Sequence, residues 1–305
     1  MDKIQQTLLE QVAGIHEVPS GAYSLRINGQ LHGKNSSENI VIEKKTDKPG
    51  IDIYIKPGTK NESVHIPVIL SQSGLRELVY NDFHIGEDCD VTIVAGCGIH
   101  NGGEGDSEHS GIHSFFVAKN AKCKYIEKHY GEGDGNGKNL MNPTTYVEMA
   151  ENSYMEMETA QIKGVDSTKR VTTGKVMKNA TLIVREKIMT HGEQYAETEF
   201  DVELCGEGAG THVISRSVAK DKSRQKFLSK IVGNAKCTGH TECDAIIMDE
   251  ATVAAIPEIL AIHPEASLVH EAAIGKIAGE QLIKLMTLGL TEKEAEEEII
   301  NGFLR

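Results

Sequence analysis

The chain has 305 residues and a formal net charge of −13, and its Lys and Arg residues are scattered rather than clustered. A chain of this length forms one large or two small domains with a sizeable core. The scattered cations argue against nucleic acid or anionic lipid as the main partner. No stretch approaches the roughly 18 consecutive apolar residues of a membrane span, and the N-terminus lacks a signal-peptide core. We therefore expect a soluble, cytoplasmic protein.

Composition favours short strands over a helical bundle. Aromatic residues make up 5 % of the chain, Trp is absent, and there are 30 Gly residues. Few bulky anchors and many turn residues suit stacked short strands. The cysteines form no compact framework and no CxxC pair, so we interpret them as reduced thiols: Cys89, Cys97, Cys123, Cys205, Cys237 and Cys243.

Taken in chain order, the first predicted element is an amphipathic helix within residues 1–22. Its apolar residues recur at steps of three and four: Ile4, Leu8, Leu9, Val12 and Ile15. From residue 23 to 278 the chain shows short β-rich runs separated by Gly, Asn and Asp, which predicts a mainly β core.

A recurring small residue suggests how this core is built. It follows a turn and precedes a new strand at Cys89, Ala121, Ser153, Ala180, Ala209, Ala235, Ala251 and Ala266. The early separations are about 30 residues and the late ones about 15, which is typical of a solenoid of two-strand coils. An antiparallel sandwich with similar turns is the alternative at this point.

Residues 279–305 predict two helices. An apolar stripe of Leu282, Ile283, Leu285 and Met286 ends at Gly289, and Thr291 stands three residues before Glu294, as in a capping box. These helices could cap the solenoid, or they could present apolar side chains to a partner's groove.

The glycine-rich stretch GEGDGNGK at 131–138 is not a phosphate-binding loop. A Walker A loop needs Gly and Ser or Thr where Glu132 and Asn139 stand here. Two acidic residues within the loop would also repel phosphate. Any ATP must therefore come with a partner.

Two groups of residues could bind metal. The first contains Cys97, His100, Glu104, Asp106, Glu108, His109, His113, Cys123, Glu127 and His129. Imidazole, thiolate and carboxylate suit ferrous or zinc ions, so we take His100, His109, His113 and His129 as candidate metal ligands. His109 and His113 would share a helix face, although Gly111 weakens that assignment. A polar surface loop with histidines along exposed strands is the alternative.

The second group lies nearer the C-terminus. It contains Cys205, His212, Cys237, His240, Glu242, Cys243, His263, His270 and Glu271. Positions one coil apart stack in a solenoid, so these side chains could converge on one edge. Thiolate with His or Glu suits a labile iron–sulfur cluster, whereas an isolated cysteine is commonly a small buried apolar residue.

The C-terminal region resembles the core of the SufB/SufD family of iron–sulfur cluster assembly scaffolds. The resemblance rests on the sequences MDEATVAAIPEILAIHPEASLVHEAAIGKI at 248–277 and GEQLIKLMTLGLTEKEAEEEIINGFL at 279–304. Upstream, GIHSFFVAKNAKCKYIEKHYGEGDGNGKNLMNPTT at 111–145 and QIKGVDSTKR at 161–170 look like the shorter, single-type members of the family.

The resemblance implies a right-handed parallel β-helix with flanking helices. It also implies pairing of two such subunits at their β-helix ends, and binding of the ATPase SufC by the helices of 279–305. His270 and Glu271 match the residues near the family's subunit junction, where a transient cluster is thought to form. A sulfur donor and apo-protein acceptors would be further partners.

One departure concerns the cluster ligands. SufB carries a cysteine before its "PxLE" strand, but residues 249–257 of this chain read DEATVAAIP. Either another thiol substitutes, in the order Cys243, Cys237 and Cys205, or the chain is a SufD-like arm that binds SufC without a cluster of its own. We interpret the chain as a scaffold and not an enzyme. The alternative class is a metal-dependent β-helix enzyme that uses the ligands between Cys97 and His129.

Overall fold

The computed structural model describes residues 1–15 and 21–304. Residues 16–20 of the predicted N-terminal segment and residue 305 lie outside this range. Twenty strands and three helices are described. The helices are α1 (Lys3–Ala13), α2 (Gly279–Thr287) and α3 (Glu292–Phe303). None of the helices within the described ranges is long and apolar enough to cross a membrane.

The strands form two sheets. Sheet A contains β1 (Ala22–Ile27), β2 (Gln30–Asn35), β5 (Lys60–Leu70), β7 (Asp90–His100), β9 (Lys122–Glu132), β12 (Tyr154–Lys163), β14 (Thr181–Thr190), β16 (Gly210–Ala219), β18 (Thr238–Ile247) and β20 (Ser267–Gly275). Sheet B contains β3 (Ile40–Lys44), β4 (Gly50–Ile55), β6 (Arg76–Ile85), β8 (Ser107–Val117), β10 (Asn139–Met141), β11 (Thr144–Met149), β13 (Ser167–Val176), β15 (Tyr195–Leu204), β17 (Arg224–Gly233) and β19 (Thr252–Ala261).

From β4 onward the chain alternates between the sheets, with β10 and β11 together forming one sheet B segment, and each strand pairs in parallel with the strand one coil away. Among the described strands only β1–β2 and β3–β4 are antiparallel. The result is a β-solenoid of about eight turns. The predicted parallel β-helix is thus confirmed, and the antiparallel sandwich is excluded by the strand pairing.

The core lies between the sheets, because alternate residues of each strand point inward. In β8 and β9, for example, inward positions are buried and their neighbours are partly exposed. Phe83 and Phe115, on neighbouring coils, stack with ring centroids 4.5 Å apart. Such a pair adds about 0.5–1.5 kcal/mol to the gain from burial alone.

In most coils the recurring small residue lies at one corner, directly after a turn residue with a left-handed φ. Asn120, Asn152 and Asn179 have left-handed φ values of +57°, +59° and +55°, a conformation that Asn tolerates better than most residues. Their side chains form a ladder: Asn152 Nδ2 donates to Asn120 Oδ1 (3.3 Å), and Asn179 Nδ2 donates to Asn152 Oδ1 (3.2 Å). The next residue is small because it is fully buried against the same residue of adjacent coils.

The register corrects two members of this series. Thr238 pairs with Gly210 and Ser267, which places Cys237, and not Ala235, in the buried column between Ala209 and Ala266. Ala251 precedes β19 of sheet B and therefore belongs to the opposite corner. The apparent half-period arises because small residues occupy both corners of a coil.

The glycine-rich segment 131–138 begins with the last two residues of β9, and its loop stacks on the corresponding loop of the preceding coil. A Cβ at Gly135 would lie 2.3 Å from the Gly103 oxygen, so the close approach of the two loops requires glycine there. Lys138 N donates to Asp106 Oδ1 (2.9 Å) across the same gap. Close stacking of loops therefore accounts for glycine in a segment that resembles a phosphate loop.

The helices cover different parts of the solenoid. Helix α1 buries Leu8, Leu9 and Val12 on the outer face of sheet A, where a Cβ at Gly96 would lie 2.8 Å from the Val12 oxygen. In α3, Ile300 packs beside Val218. Helix α2 buries none of its side chains.

We expect Asn152→Ala to lower the free energy of unfolding by about 1–2 kcal/mol, because alanine pays for a left-handed φ and cannot extend the ladder. Urea denaturation followed by circular dichroism measures this loss. Asn152→Gly is the matched control, since it removes the ladder but accepts the φ value. Equal losses in the two variants would show that backbone strain does not explain the choice of Asn.

Candidate functional site

Three of the four predicted metal-binding histidines lie inside the solenoid. His109 and His113 are on β8 and His129 is on β9, and all three are buried. The predicted helix face shared by His109 and His113 is wrong. Residues four apart also share one side of a strand, and here that side is the interior, because alternate residues of β8, including His109 and His113, are buried between the two sheets. His100 lies on the outer face, with Nδ1 3.3 Å from Glu132 Oε1.

The buried histidines belong to a polar network. His113 Nδ1 lies 2.9 Å from the Tyr125 hydroxyl, which donates to Glu127 Oε1 at 2.9 Å. Because the hydroxyl proton goes to Glu127, Nδ1 of His113 must carry the proton that it donates to Tyr125. His129 Nε2 is 3.5 Å from Glu127 Oε1.

A buried arginine connects this network to later coils. Arg170 donates to Glu127, and its Nε lies 3.6 Å from Glu186 Oε1. Glu186 also accepts from Thr198 (3.0 Å) and Ser215 (3.0 Å). The interior thus contains two carboxylates that share one guanidinium, an arrangement that satisfies the buried charges.

Burial and pairing act in opposite directions on these groups. Burial favours the neutral carboxyl of Glu127, yet Arg170 and His129 hold its pKa well below the usual range. Burial raises the pKa of Glu186 despite the opposing effect of Arg170. For His113, burial outweighs the attraction of Glu127 and lowers the pKa to about 4.

The free space among these buried histidines is small. A cavity of about 10 Å³ lies among Cys97, His109, His113 and His129, which is room for about one water molecule and too little for an iron–sulfur cluster. His109 Nδ1 lies 3.4 Å from Glu77 Oε2. A metal-binding role for His100, His109, His113 and His129 stays a prediction.

The second predicted group is divided between the two faces of the last coils. Cys243 on β18 points inward and is buried, stacked between Ser215 and Ala272. His270 on β20 also points inward, next to Thr241, whereas Glu271 points outward, next to Glu242. His270 and Glu271 are consecutive in a strand and cannot share a face.

The other two cysteines lie at a corner of the solenoid. Cys237 is buried just before β18, and Cys205 follows β15 with Sγ 3.7 Å from the Glu203 backbone oxygen. Of the five predicted cluster ligands, the fold therefore brings Cys243 and His270 onto one interior face. Burial raises the pKa of the Cys243 thiol to about 12 and lowers that of His270.

This interior face lies at an open end of the molecule. Strands β19 and β20 are the last of their sheets, so each has one edge without a neighbouring strand in residues 21–304. Inward residues that would be buried one coil earlier are exposed here, including Ile259 and Ile274. Outward residues add to this apolar end, and Ile256 is 50 % exposed.

Sequence reasoning missed the central members of the interior network, namely Tyr125, Arg170, Glu186, Thr198 and Ser215. Each is a polar residue at an inward position of a strand, flanked by residues that point outward. The alternation of residues along each strand could have indicated that these residues share a face. Whether that face points inward or outward depends on the register of each coil.

Comparison with known proteins identifies the family. Residues 77–303 match the family model for the SufBD core domain of SUF system FeS cluster assembly. The chain belongs to the SufBD family. The predicted resemblance is thereby confirmed, and the match extends from β6 to the end of α3.

Several SufBD proteins are similar over most of the chain. The iron–sulfur cluster assembly SufBD family protein of Archaeoglobus fulgidus is 31 % identical over 265 residues, which cover 85 % of this chain and 69 % of that protein. The corresponding protein of Methanocaldococcus jannaschii is 29 % identical, with 88 % and 85 % covered. The iron–sulfur cluster assembly protein SufB of Bacillus subtilis is 26 % identical, with 84 % and 55 % covered.

The buried His113 predicts a specific loss of stability in acid. Its pKa of about 4 in the folded state lies below the value of 6.5 for a free side chain, so below pH 6.5 the unfolded chain binds a proton that the folded chain excludes. Stability should therefore fall between pH 6.5 and about 4, by up to about 3 kcal/mol from this residue.

Urea denaturation of the wild type and of His113→Gln at pH 7 and pH 5 measures this effect. Glutamine can donate to Tyr125 but does not titrate in this range. The variant should lose less stability on acidification than the wild type does. The same loss in both proteins would show that His113 does not exclude a proton in the folded state.

Proposed function

We propose that this SufBD protein is a scaffold on which iron–sulfur clusters are assembled, and that it holds ligands instead of catalysing a covalent step. Family membership supports a role in cluster assembly. The observation that carries the proposal is the open end of the solenoid, where Cys243 and His270 lie on the same interior face of neighbouring strands.

The open end is suited to pairing with another solenoid. Two copies, or one copy and a homologue, would cover the exposed apolar side chains of β19 and β20. The free edges of these strands would also gain backbone hydrogen bonds from a partner strand. Such a junction would enclose His270, which only one neighbouring strand covers in the single chain.

The ligand set proposed for this junction is Cys243 with His270. Iron would displace the thiol proton of Cys243, because metal binding deprotonates a cysteine ligand. Cys237 and Cys205 are less favourable candidates because they lie at the corner. Glu271 could contribute only from the outer face or from the rim of the junction. A mixed sulfur and nitrogen ligand set favours a cluster that is released to an acceptor protein.

Helices α2 and α3 are proposed to bind the ATPase SufC. Ile283 of α2 is 62 % exposed and Leu288, the residue that follows α2, is 77 % exposed, so this segment presents an apolar surface that the solenoid leaves uncovered. ATP bound by SufC would then act at a distance, through α2 and α3, on the junction of the two scaffolds. A sulfur donor and apo-protein acceptors complete the proposed set of partners.

A SufD-like arm without its own cluster is the second candidate. Ala251 and its neighbours supply no thiol at the open end, and Cys243 is buried. A metal-dependent enzyme has less support, because three of its four histidines are buried around a cavity too small for a substrate.

Anaerobic reconstitution with iron and sulfide tests the ligand set. We expect the wild type to develop a sulfide-to-iron absorption band in the visible spectrum. Cys243→Ser and His270→Ala should each lose most of this band, because each removes a ligand from the junction. Acid-labile sulfide and iron, measured per chain, provide the stoichiometry.

Cys89→Ser is the matched control for this experiment. Cys89 is also buried, but it lies in an early coil and donates to the Lys56 oxygen. A band that persists in Cys243→Ser and His270→Ala would refute the ligand set. No band in any of the proteins, with normal SufC binding, would favour the SufD-like arm.

The double substitution Ile283→Glu/Leu288→Glu should weaken binding to the cognate SufC by more than about tenfold, since two charges replace apolar contacts. Isothermal titration calorimetry measures the change. Met177→Glu, at an exposed apolar position of the solenoid, is the control and should bind normally. Unchanged affinity of the double variant would exclude α2 as the docking surface, and full binding by a chain truncated after Gly289 would exclude α3.

A further inference from the structure

The outer face of sheet A carries two histidines in direct register. His212 on β16 pairs with His240 on β18, and their rings stack with centroids 4.8 Å apart and planes 4° apart. Their neighbour on the same face is Glu242. The His212 Nε2 atom lies 2.8 Å from Glu242 Oε1, and His240 Nδ1 lies 3.7 Å from the same oxygen.

These three residues form a group of potential ligands. One ligand atom from each lies within 4.8 Å of the others, and no other His, Cys, Asp or Glu group of three or more meets this criterion in residues 1–15 and 21–304. Their side chains are 33 %, 33 % and 26 % exposed. An ion can therefore reach the group from solvent, while the neighbouring strands hold the ligands in place.

A second observation points to an absent ligand. The Nε2 atom of His240 is buried and has no hydrogen-bond partner. Buried polar atoms in folded proteins are usually paired, so this nitrogen is available to an ion. Glu271 Oε2 lies 3.7 Å from it and is exposed. This carboxylate faces Nε2, whereas Glu242 faces Nδ1 of the same ring, and the two nitrogens of one imidazole do not bind the same ion.

We propose that His212, His240 and Glu242 bind a divalent transition-metal ion. Two imidazoles with carboxylate oxygens suit zinc, ferrous iron, cobalt or nickel, whereas calcium and magnesium prefer an all-oxygen shell. Metal–ligand bonds of about 2.0–2.2 Å bring ligand atoms within about 3–4 Å of one another. Binding therefore requires the two stacked imidazole rings, whose planes are nearly parallel, to rotate toward a common point.

This site is distinct from the proposed cluster site. Residues 240, 242 and 271 point outward, whereas Cys243 and His270 point inward from the same strands. The metal site contains no thiol and lies within a single chain. The proposal therefore does not rest on the scaffold function, and it would hold equally for a SufD-like arm.

Titration of the full chain with Co²⁺ under anaerobic conditions tests the proposal. The wild type should bind one ion per chain and develop ligand-field bands without a thiolate charge-transfer band. His212→Ala, His240→Ala and Glu242→Gln should each raise the Kd by at least about tenfold, because loss of even an outer-shell partner has this effect. Zn²⁺ should displace Co²⁺, and Mg²⁺ should not.

His100→Ala is the matched control. His100 and Glu132 form a comparable histidine–carboxylate pair on the same face of sheet A, but without a third ligand. This variant should bind Co²⁺ as the wild type does. The proposal would be overturned if His100→Ala lost Co²⁺ binding while His240→Ala kept it. It would also be overturned if none of the three site variants changed the Kd, or if the wild type bound no Co²⁺.

Two further measurements distinguish a loss of metal binding from a loss of folded structure and from a loss of cluster binding. Without metal, His240→Ala and the wild type should have the same melting temperature. Zn²⁺ should raise the melting temperature of the wild type but not that of His240→Ala. Cys243→Ser should still bind Co²⁺ normally while it loses the sulfide-to-iron band. If Cys243→Ser also loses Co²⁺, the ion is at the junction and the outer site is refuted.

Discussion

The position of nearly every side chain depends on the hydrogen-bonded register between parallel coils. Each strand of the solenoid pairs residue by residue with the strand one coil away, so equivalent residues stack in columns. The asparagine ladder of Asn120, Asn152 and Asn179 fixes one corner, and the same register aligns His212 with His240. A shift of one residue would turn every inward side chain outward, which is why a single register is strongly preferred.

The interior is only partly apolar, and its buried carboxylates are hydrogen-bonded. Arg170 lies between Glu127 and Glu186, while Tyr125, Thr198 and Ser215 satisfy the remaining carboxylate oxygens. The charges are tolerated because they are paired, since an unpaired buried charge costs several kcal/mol. His113 remains neutral in this setting. The network ends at Ser215 on β16. Cys243, on β18 of the next coil, stacks directly on Ser215.

The two ends of the solenoid differ. The first coils end in the antiparallel pairs β1–β2 and β3–β4, with Leu25 and Ile40 fully buried. The last coil has no such cover within the described residues, and β19 and β20 leave apolar side chains exposed. This asymmetry places the proposed junction at the C-terminal end, beside the helices proposed to bind SufC. The outer metal site lies on the same terminal coils, on the opposite face of sheet A from Cys243.

The sequence by itself predicted a mainly β chain of repeated coils, because Asn and Gly turns, small corner residues and alternating strands are local features, and the family resemblance then favoured a parallel β-helix over an antiparallel sandwich. It also predicted α1 and the capping box at Thr291 and Glu294, and its C-terminal motifs indicated the family. The tertiary structure alone decided which ligands meet. His109 and His113 point into the core, Cys237 replaces Ala235 in the corner column, and consecutive residues His270 and Glu271 separate to opposite faces. These outcomes depend on the register between distant segments, since the count of residues in each loop sets the face on which a side chain lies.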